Sequence, residues 1–157
     1  MKVVSNATPI ISLASIGRLS LLTDLFNKVY IPQAVYNEIK YKKSHGYQEI
    51  DNPCFEIMTI QGNAYLGFLL NELDRGEAEA IFLAKEMAAD MLIIDERIGY
   101  KIAQSQQLYC IGTLTVLEVA KQKQLIKKVK PLLDEMIQKG RWYSETVYSQ
   151  FLKQIGE

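Results

Sequence analysis

The sequence predicts a single α/β domain built around a parallel sheet, and three observations carry that expectation. Short apolar segments such as Met91-Leu92-Ile93-Ile94 show no polar alternation, as strands buried on both faces require. Helix-length segments follow these strands, giving a repeated βα rhythm along the chain. Asn6 and Asp95 each follow an apolar strand directly, at the carboxyl end where an open parallel sheet leaves its crevice.

Taken in order, Val3-Val4 opens a strand that stops at Asn6-Ala7-Thr8-Pro9, and Ile10, Ile11, Leu13 and Ala14 begin a helix that Gly17 can close. Leu19 to Phe26 reads as a second helix. Val29 to Ile31 is a short strand, and Pro32 suits the first turn of a helix running to about Tyr41. Lys42 to Pro53 is loop-like, Phe55 to Ile60 a strand, Gly62-Asn63 a turn, and Tyr65 to Leu73 a helix. Asp74-Arg75-Gly76 breaks the chain before a helix over Glu77 to Ala89, then the Met91–Ile94 strand. A helix from Glu96 to Gln106, a strand from Tyr109 to Ile111, and a helix entered through Gly112-Thr113 complete the rhythm. Two closing helices, Lys128 to Lys139 and Ser144 to Ile155, follow, the second capped by Ser144.

With 157 residues, 48% apolar and 23% charged, the chain fits one domain spanning 1–157 with a full core. No repeat, low-complexity tract or Gly/Pro/Ser-rich linker divides it. No apolar run nears the roughly 20 residues a bilayer crossing needs, and Met1 to Ser5 is too short and too lightly charged for a secretion signal, so a cytoplasmic protein is expected. Cys54 and Cys110 have no Cys or His partner at metal-ligand spacing and read as reduced, structural residues. Eighteen basic and eighteen acidic residues give zero net charge, so any attraction for nucleic acid must be local. Lys40, Lys42 and Lys43 form one basic cluster, and Lys121, Lys123, Lys127, Lys128 and Lys130 another. Each is either a solvated helix end or a phosphate-contacting rim.

The residues that could carry chemistry are Asn6, Glu38, Glu77 and Asp95. Asp95 either caps the helix that follows it or projects into the crevice, and the two roles can coexist. Glu77 shares a helical face with Ile81, Ala84 and Ala88, so its carboxylate should point inward at the helix start, where the dipole favours an anion. Glu79 shares its face with Glu86 and reads as solvated. Glu38 lies one turn beyond Ala34 and Val35, on the side expected to face the body. Three carboxylates meeting in one crevice would raise one another's pKa unless a cation were present, and oxygen ligands without His or Cys favour Mg²⁺ or Mn²⁺. Such a site hydrolyses phosphodiesters without a protein nucleophile. The lone His45 falls in the loop-like stretch. With no Gly-rich phosphate loop, no early acidic pair and no suitably placed Lys, the sequence does not fit a receiver or nucleotide-binding domain.

Over roughly residues 3 to 126 the chain resembles the PIN-domain family, in particular its VapC-like toxin branch. The match rests on Val4-Ser5-Asn6-Ala7-Thr8-Pro9-Ile10-Ile11, Ile31-Pro32 through Val35 to Glu38-Ile39, and Gly76-Glu77-Ala78-Glu79-Ala80-Ile81. It continues through Leu92-Ile93-Ile94-Asp95-Glu96-Arg97 and Gly112-Thr113-Leu114. The resemblance implies a three-layer α/β/α sandwich and a metal-dependent ribonuclease, commonly a homodimer silenced by a small antitoxin protein. It places the family's four acidic positions on Asn6, Glu38, Glu77 and Asp95, with Glu79 competing for the third and Thr113 and Thr8 as candidates to orient a water or phosphate. Asn6 stands where most active members have Asp, and Ile93 where a hydroxyl residue is frequent. The alternative to a nuclease is therefore a weakened or inactive PIN domain that binds RNA or protein.

Overall fold

The computed structural model describes residues 1–157. The strands β1 (Val3–Ser5), β2 (Val29–Pro32), β3 (Phe55–Met58), β4 (Met91–Ile93) and β5 (Cys110–Ile111) form one sheet in the order β3-β2-β1-β4-β5. Every neighbouring pair is parallel, with Val4 opposite Tyr30 on one side and Leu92 on the other. The helices are α1 (Ala7–Ser15), α2 (Ser20–Phe26), α3 (Gln33–Tyr41), α4 (Ala64–Leu70), α5 (Arg75–Glu86), α6 (Arg97–Ser105), α7 (Thr113–Gln122), α8 (Lys130–Gln138) and α9 (Glu145–Gln154).

Successive strand residues point to opposite faces, and here both faces are covered. Val3, Val29, Ile31, Ile93 and Ile111 pack into one core with side chains from α1, α2, α3, α7, α8 and α9. Val4, Leu92 and Cys110 pack into a second core with α4, α5 and α6. The result is the expected three-layer α/β/α sandwich. It accounts for the unbroken apolar run at Met91–Ile94, since no face of β4 is left to water.

Several helices begin or end away from the sequence-based expectation, each for a local reason. The helix expected from Ile10 starts at Ala7 because Asn6 is already extended (φ −79°, ψ 174°) and Pro9 falls in the first turn, where its missing N–H costs nothing. Gly17 closes that helix in a left-handed conformation, φ +67°, with its N–H on the Ala14 carbonyl. Pro32 ends β2 instead of opening α3. The helix expected from Glu77 starts at Arg75, because the Asp74 carboxylate accepts the Glu77 N–H at 2.8 Å and caps it. Ser144 caps α9 as expected, accepting from Val147 N–H at 3.1 Å.

The loop-like stretch holds one 3-10 turn, Glu49–Asp51, which Lys40 and the Tyr36 hydroxyl anchor through Asp51. Lys42, Lys121 and Lys130 are likewise engaged in ion pairs, with Glu38, Glu157 and Asp134. Both cysteines are free thiols, and burial pushes the Cys110 thiol up to about 11. No single helix is long and apolar enough to cross a membrane.

The closing helices are held by one carboxylate. Glu157 accepts the Val129 and Lys130 N–H groups, each at 2.9 Å, and the Lys121 ammonium at 2.9 Å, tying the end of α9 to the start of α8 and to α7. Burial opposes its ionisation, but the backbone N–H groups and the Lys121 ammonium outweigh it and hold the carboxyl at about 2. Its folded pKa lies below the ordinary 4.5, so the stability it adds is present above 4.5 and lost as pH falls through about 2. Glu157→Gln is therefore expected to lower the urea midpoint at neutral pH, with the gap to wild type closing in strong acid.

Candidate active site

The sheet reverses its direction of growth between β1 and β4, and a crevice opens beyond their carboxyl ends. Asn6 follows β1 directly, and its backbone N–H crosses to the Ile93 carbonyl at 2.9 Å. Its side-chain Nδ2 donates to Glu96 at 2.9 Å, while the Thr8 hydroxyl donates to the other Glu96 oxygen. Asn6 is buried, so the sequence places an amide at the floor of the crevice and uses it as a donor.

Asp95 lies two residues beyond β4 with its side chain only 7% exposed. It does not cap the helix after it, as one reading of the sequence expects. The N-cap of α6 is Glu96, without a side-chain bond, and Asp95 instead caps α7 across the crevice. Its Oδ1 accepts the Thr113 N–H at 2.8 Å and its Oδ2 accepts the Thr113 hydroxyl at 2.5 Å. Gly112 supplies no cap of its own, and a Cβ there would sit 2.7 Å from Asp95 Oδ1, so a side chain at this position would have to displace the carboxylate. Arg141, in the turn between α8 and α9, brings Nη2 to 3.5 Å from Oδ2. Burial pushes the Asp95 carboxyl above its usual range, and Arg141 and the Thr113 bonds pull it back part of the way.

Glu77 faces Asp95's segment from the first turn of α5. Ile81 and Ala84 on its face are buried as the helical spacing predicts, whereas Ala88 lies beyond the helix end and is exposed. A Cβ on Gly99 of α6 would lie 3.2 Å from Glu77 Oε2, which places the carboxylate against that helix. Half-burial, then the negative charges of Asp74, Glu96 and Glu38, push the Glu77 carboxyl up to about 8. Glu38, in the last part of α3, pairs weakly with Lys42 at 3.7 Å. Burial raises its pKa, Lys42 opposes, and Asp74 and Glu96 add to the rise. Gly76 links these groups, since a Cβ there would lie 3.6 Å from Asp74 Oδ1 and 3.7 Å from Asn6 Oδ1.

Glu79 is not solvated. It is buried, pairs with Arg75 at 3.0 Å and accepts the Ala34 N–H at 3.1 Å. Packing of α5 against the start of α3 covers the face that the sequence pattern leaves to water, and Glu79 satisfies an otherwise orphaned N–H there.

Glu77 and Glu38 share the field of Asp74 and Glu96, and Asn6 and Thr8 bond Glu96. Asp95, held by Thr113 and Arg141, feels the same Glu96 charge, so Asp74, Glu96 and Arg141 join the predicted residues. Glu96 and Asp74 were within reach of the sequence, the first as Asp95's neighbour and the second as the Asp-x-x-Glu start of α5. Arg141 has no local signal, because only the α8–α9 turn brings it across. No three carboxylates come close enough together to hold a metal ion in this arrangement. In chemical kind the donors fit a hard divalent cation, being all oxygen and carrying mutual repulsion that such an ion relieves.

A family model described as a PIN domain, DUF3368, matches residues 2–157. The chain belongs to the PIN-domain family. No curated protein and no solved structure gives a match. A PIN domain supports the nuclease class of activity, whose members generally use a divalent metal.

Because Glu77 titrates higher folded than its ordinary 4.5, the folded state binds the extra proton and stability falls as pH rises from about 4.5 to about 8. Glu77→Gln removes that slope. Urea unfolding across this range is expected to show the variant gaining on wild type as pH rises.

Proposed function

We propose that this PIN domain is a Mg²⁺- or Mn²⁺-dependent endoribonuclease that hydrolyses RNA phosphodiesters. The observation that carries the reading is the gathering of carboxylates at the switch point, where burial first, and then the charges of Asp74, Glu96 and Glu38, push the Glu77 carboxyl up to about 8. Glu38, Glu77 and Asp95, with the amide oxygen of Asn6, are the residues that would hold the metal. A metal bound there polarises the phosphoryl oxygen and lowers the pKa of a water.

The chain's own residues divide the work. Thr113 and Arg141 fix the rotamer of Asp95, and Asn6 and Thr8 fix Glu96, so one wall of the crevice is set before any ligand arrives. Glu77 and Glu38 have no such clamps beyond the loose Lys42 pair and are free to close on an ion. Purified protein is expected to cleave RNA only with Mg²⁺ or Mn²⁺, and Asp95→Asn to slow cleavage by on the order of 100-fold or more. Thermal unfolding checks that the variant is folded. Equal rates for wild type and variant would sink the proposal.

A second reading, a non-cutting RNA- or protein-binding module, is favoured by the Asn6 amide, which donates to Glu96 as an Asp at that position could not. Asn6→Asp separates the two. An inert wild type whose variant binds divalent ions more tightly by calorimetry and gains cleavage supports this second reading.

The resemblance extends the proposal to the toxin of a toxin–antitoxin pair, acting in the cytoplasm as a homodimer and held inactive by a small antitoxin. An antitoxin arginine covering the crevice would meet Glu77 and Glu38, since Arg141 already pairs with Asp95. Purification from the native operon is expected to bring down a small bound protein, and its absence counts against the pairing.

A further inference from the structure

A second groove adjoins the carboxylate crevice and has the opposite character. Thr8, Ser12 and Ser15 lie along one face of α1, about 10 Å end to end at 1.5 Å per residue. With Ile11, His45, Lys139, Gly140 and Arg141 they line a depression of about 270 Å³ that contains no carboxylate. His45 also lines a neighbouring depression with Lys43 and Tyr47, whose one acid is Glu49. The groove is sewn to the crevice at two points, Thr8 on Glu96 and Arg141 on Asp95.

Its cations are Lys139 and Arg141, with the imidazole of His45 beside them. Lys139 and His45 are exposed and make no ion pair, unlike Lys40, Lys42, Lys121 and Lys130. Arg141 pairs with Asp95 and lies over the Tyr143 ring at 4.6 Å, which holds a planar guanidinium at the edge of the groove. Trp142, the only tryptophan, stands beside it and is 75% exposed, an aromatic surface on which a base can stack.

We propose that the groove between the hydroxyl face of α1 and the Lys139–Arg141 turn binds the phosphate backbone of a single RNA strand running out of the carboxylate crevice. The inference names the substrate path for the proposed nuclease and rests on that reading for its direction, but binding itself needs neither metal nor cleavage. Hydroxyls and cations without acids suit phosphates, and one apolar lining residue offers little to a protein segment.

The test is binding of a short fluorescein-labelled single-stranded RNA in EDTA, followed by anisotropy and by Trp142 fluorescence. Lys139→Glu is expected to weaken binding about tenfold and to reduce the salt slope by about 0.7. His45→Glu should act in the same direction. The double change Lys127→Glu, Lys128→Glu, at the far end of α8, is expected to leave affinity within about twofold. Equal losses from the two ends of α8, no loss from Lys139→Glu, or no RNA binding at all overturns the groove. Groove-dependent binding by a protein that never cuts RNA with Mg²⁺ or Mn²⁺ upholds the groove and removes the nuclease reading instead.

Discussion

A carboxylate taken out of water at the end of β4 sets the form of the crevice. Asp95 keeps 7% of its side chain exposed, and an ionised group so enclosed is tolerable only with charged and hydrogen-bonding partners. Its partners come from two distant elements, Thr113 at the head of α7 and Arg141 in the α8–α9 turn. Satisfying one acid therefore locates a strand end, a helix start and the C-terminal turn relative to each other. The same demand favours Gly112, because a Cβ there would sit 2.7 Å from the carboxylate oxygen and push it off the Thr113 N–H.

The opposite wall is built the other way. Glu77 is half-buried among neighbours of its own sign, and burial first, then their charge, keeps its proton on far above the usual carboxylate range. Asp95 owes its place to partners, and Glu77 stores unfavourable charge that only a proton or another cation relieves. A site with one fixed acid and one frustrated acid is more responsive to an incoming ion than a site whose acids are all paired. Glu96 stands between them, held in place by Asn6 and Thr8 while contributing charge to both sides.

The strand-and-helix order and the position of the crevice were legible in the sequence because they depend on local properties. Val3-Val4 and Met91–Ile94 are apolar without alternation, and Asn6 and Asp95 stop them at the carboxyl ends. Where the reading missed, the deciding contact was tertiary. The pattern around Glu79 points to solvent, yet α3 packs over it and supplies the Ala34 N–H it accepts. Asp95 next to Glu96 suggests a cap on the adjacent helix, yet the unfilled N-terminus it satisfies belongs to α7, eighteen residues on. Arg141 is invisible at sequence level because nothing local marks it as Asp95's partner. The carboxylates meet in one field but no three meet at one point, and side-chain reach of that kind is not written in helical periodicity.

Zero net charge conceals a sharp local separation, with acids gathered in the crevice and Lys139 and Arg141 along the groove beside it, where Arg141 pairs with Asp95 and Lys139 makes no ion pair. For a polyanion the two regions have opposite consequences. The groove attracts a phosphate strand at any metal concentration, whereas the crevice repels the same strand until its carboxylates are neutralised. On the proposed reading, holding RNA and cutting it are therefore assigned to different residues and respond to different ions. Salt weakens the first, and the divalent cation enables the second. Arg141 is the one cation that belongs to both, pairing with Asp95 on one side while its Nε remains without a partner. A cation bound by Asp95 would compete with Arg141 for the same carboxylate, and a guanidinium loosened in that way is already beside the groove, where a phosphate can accept it.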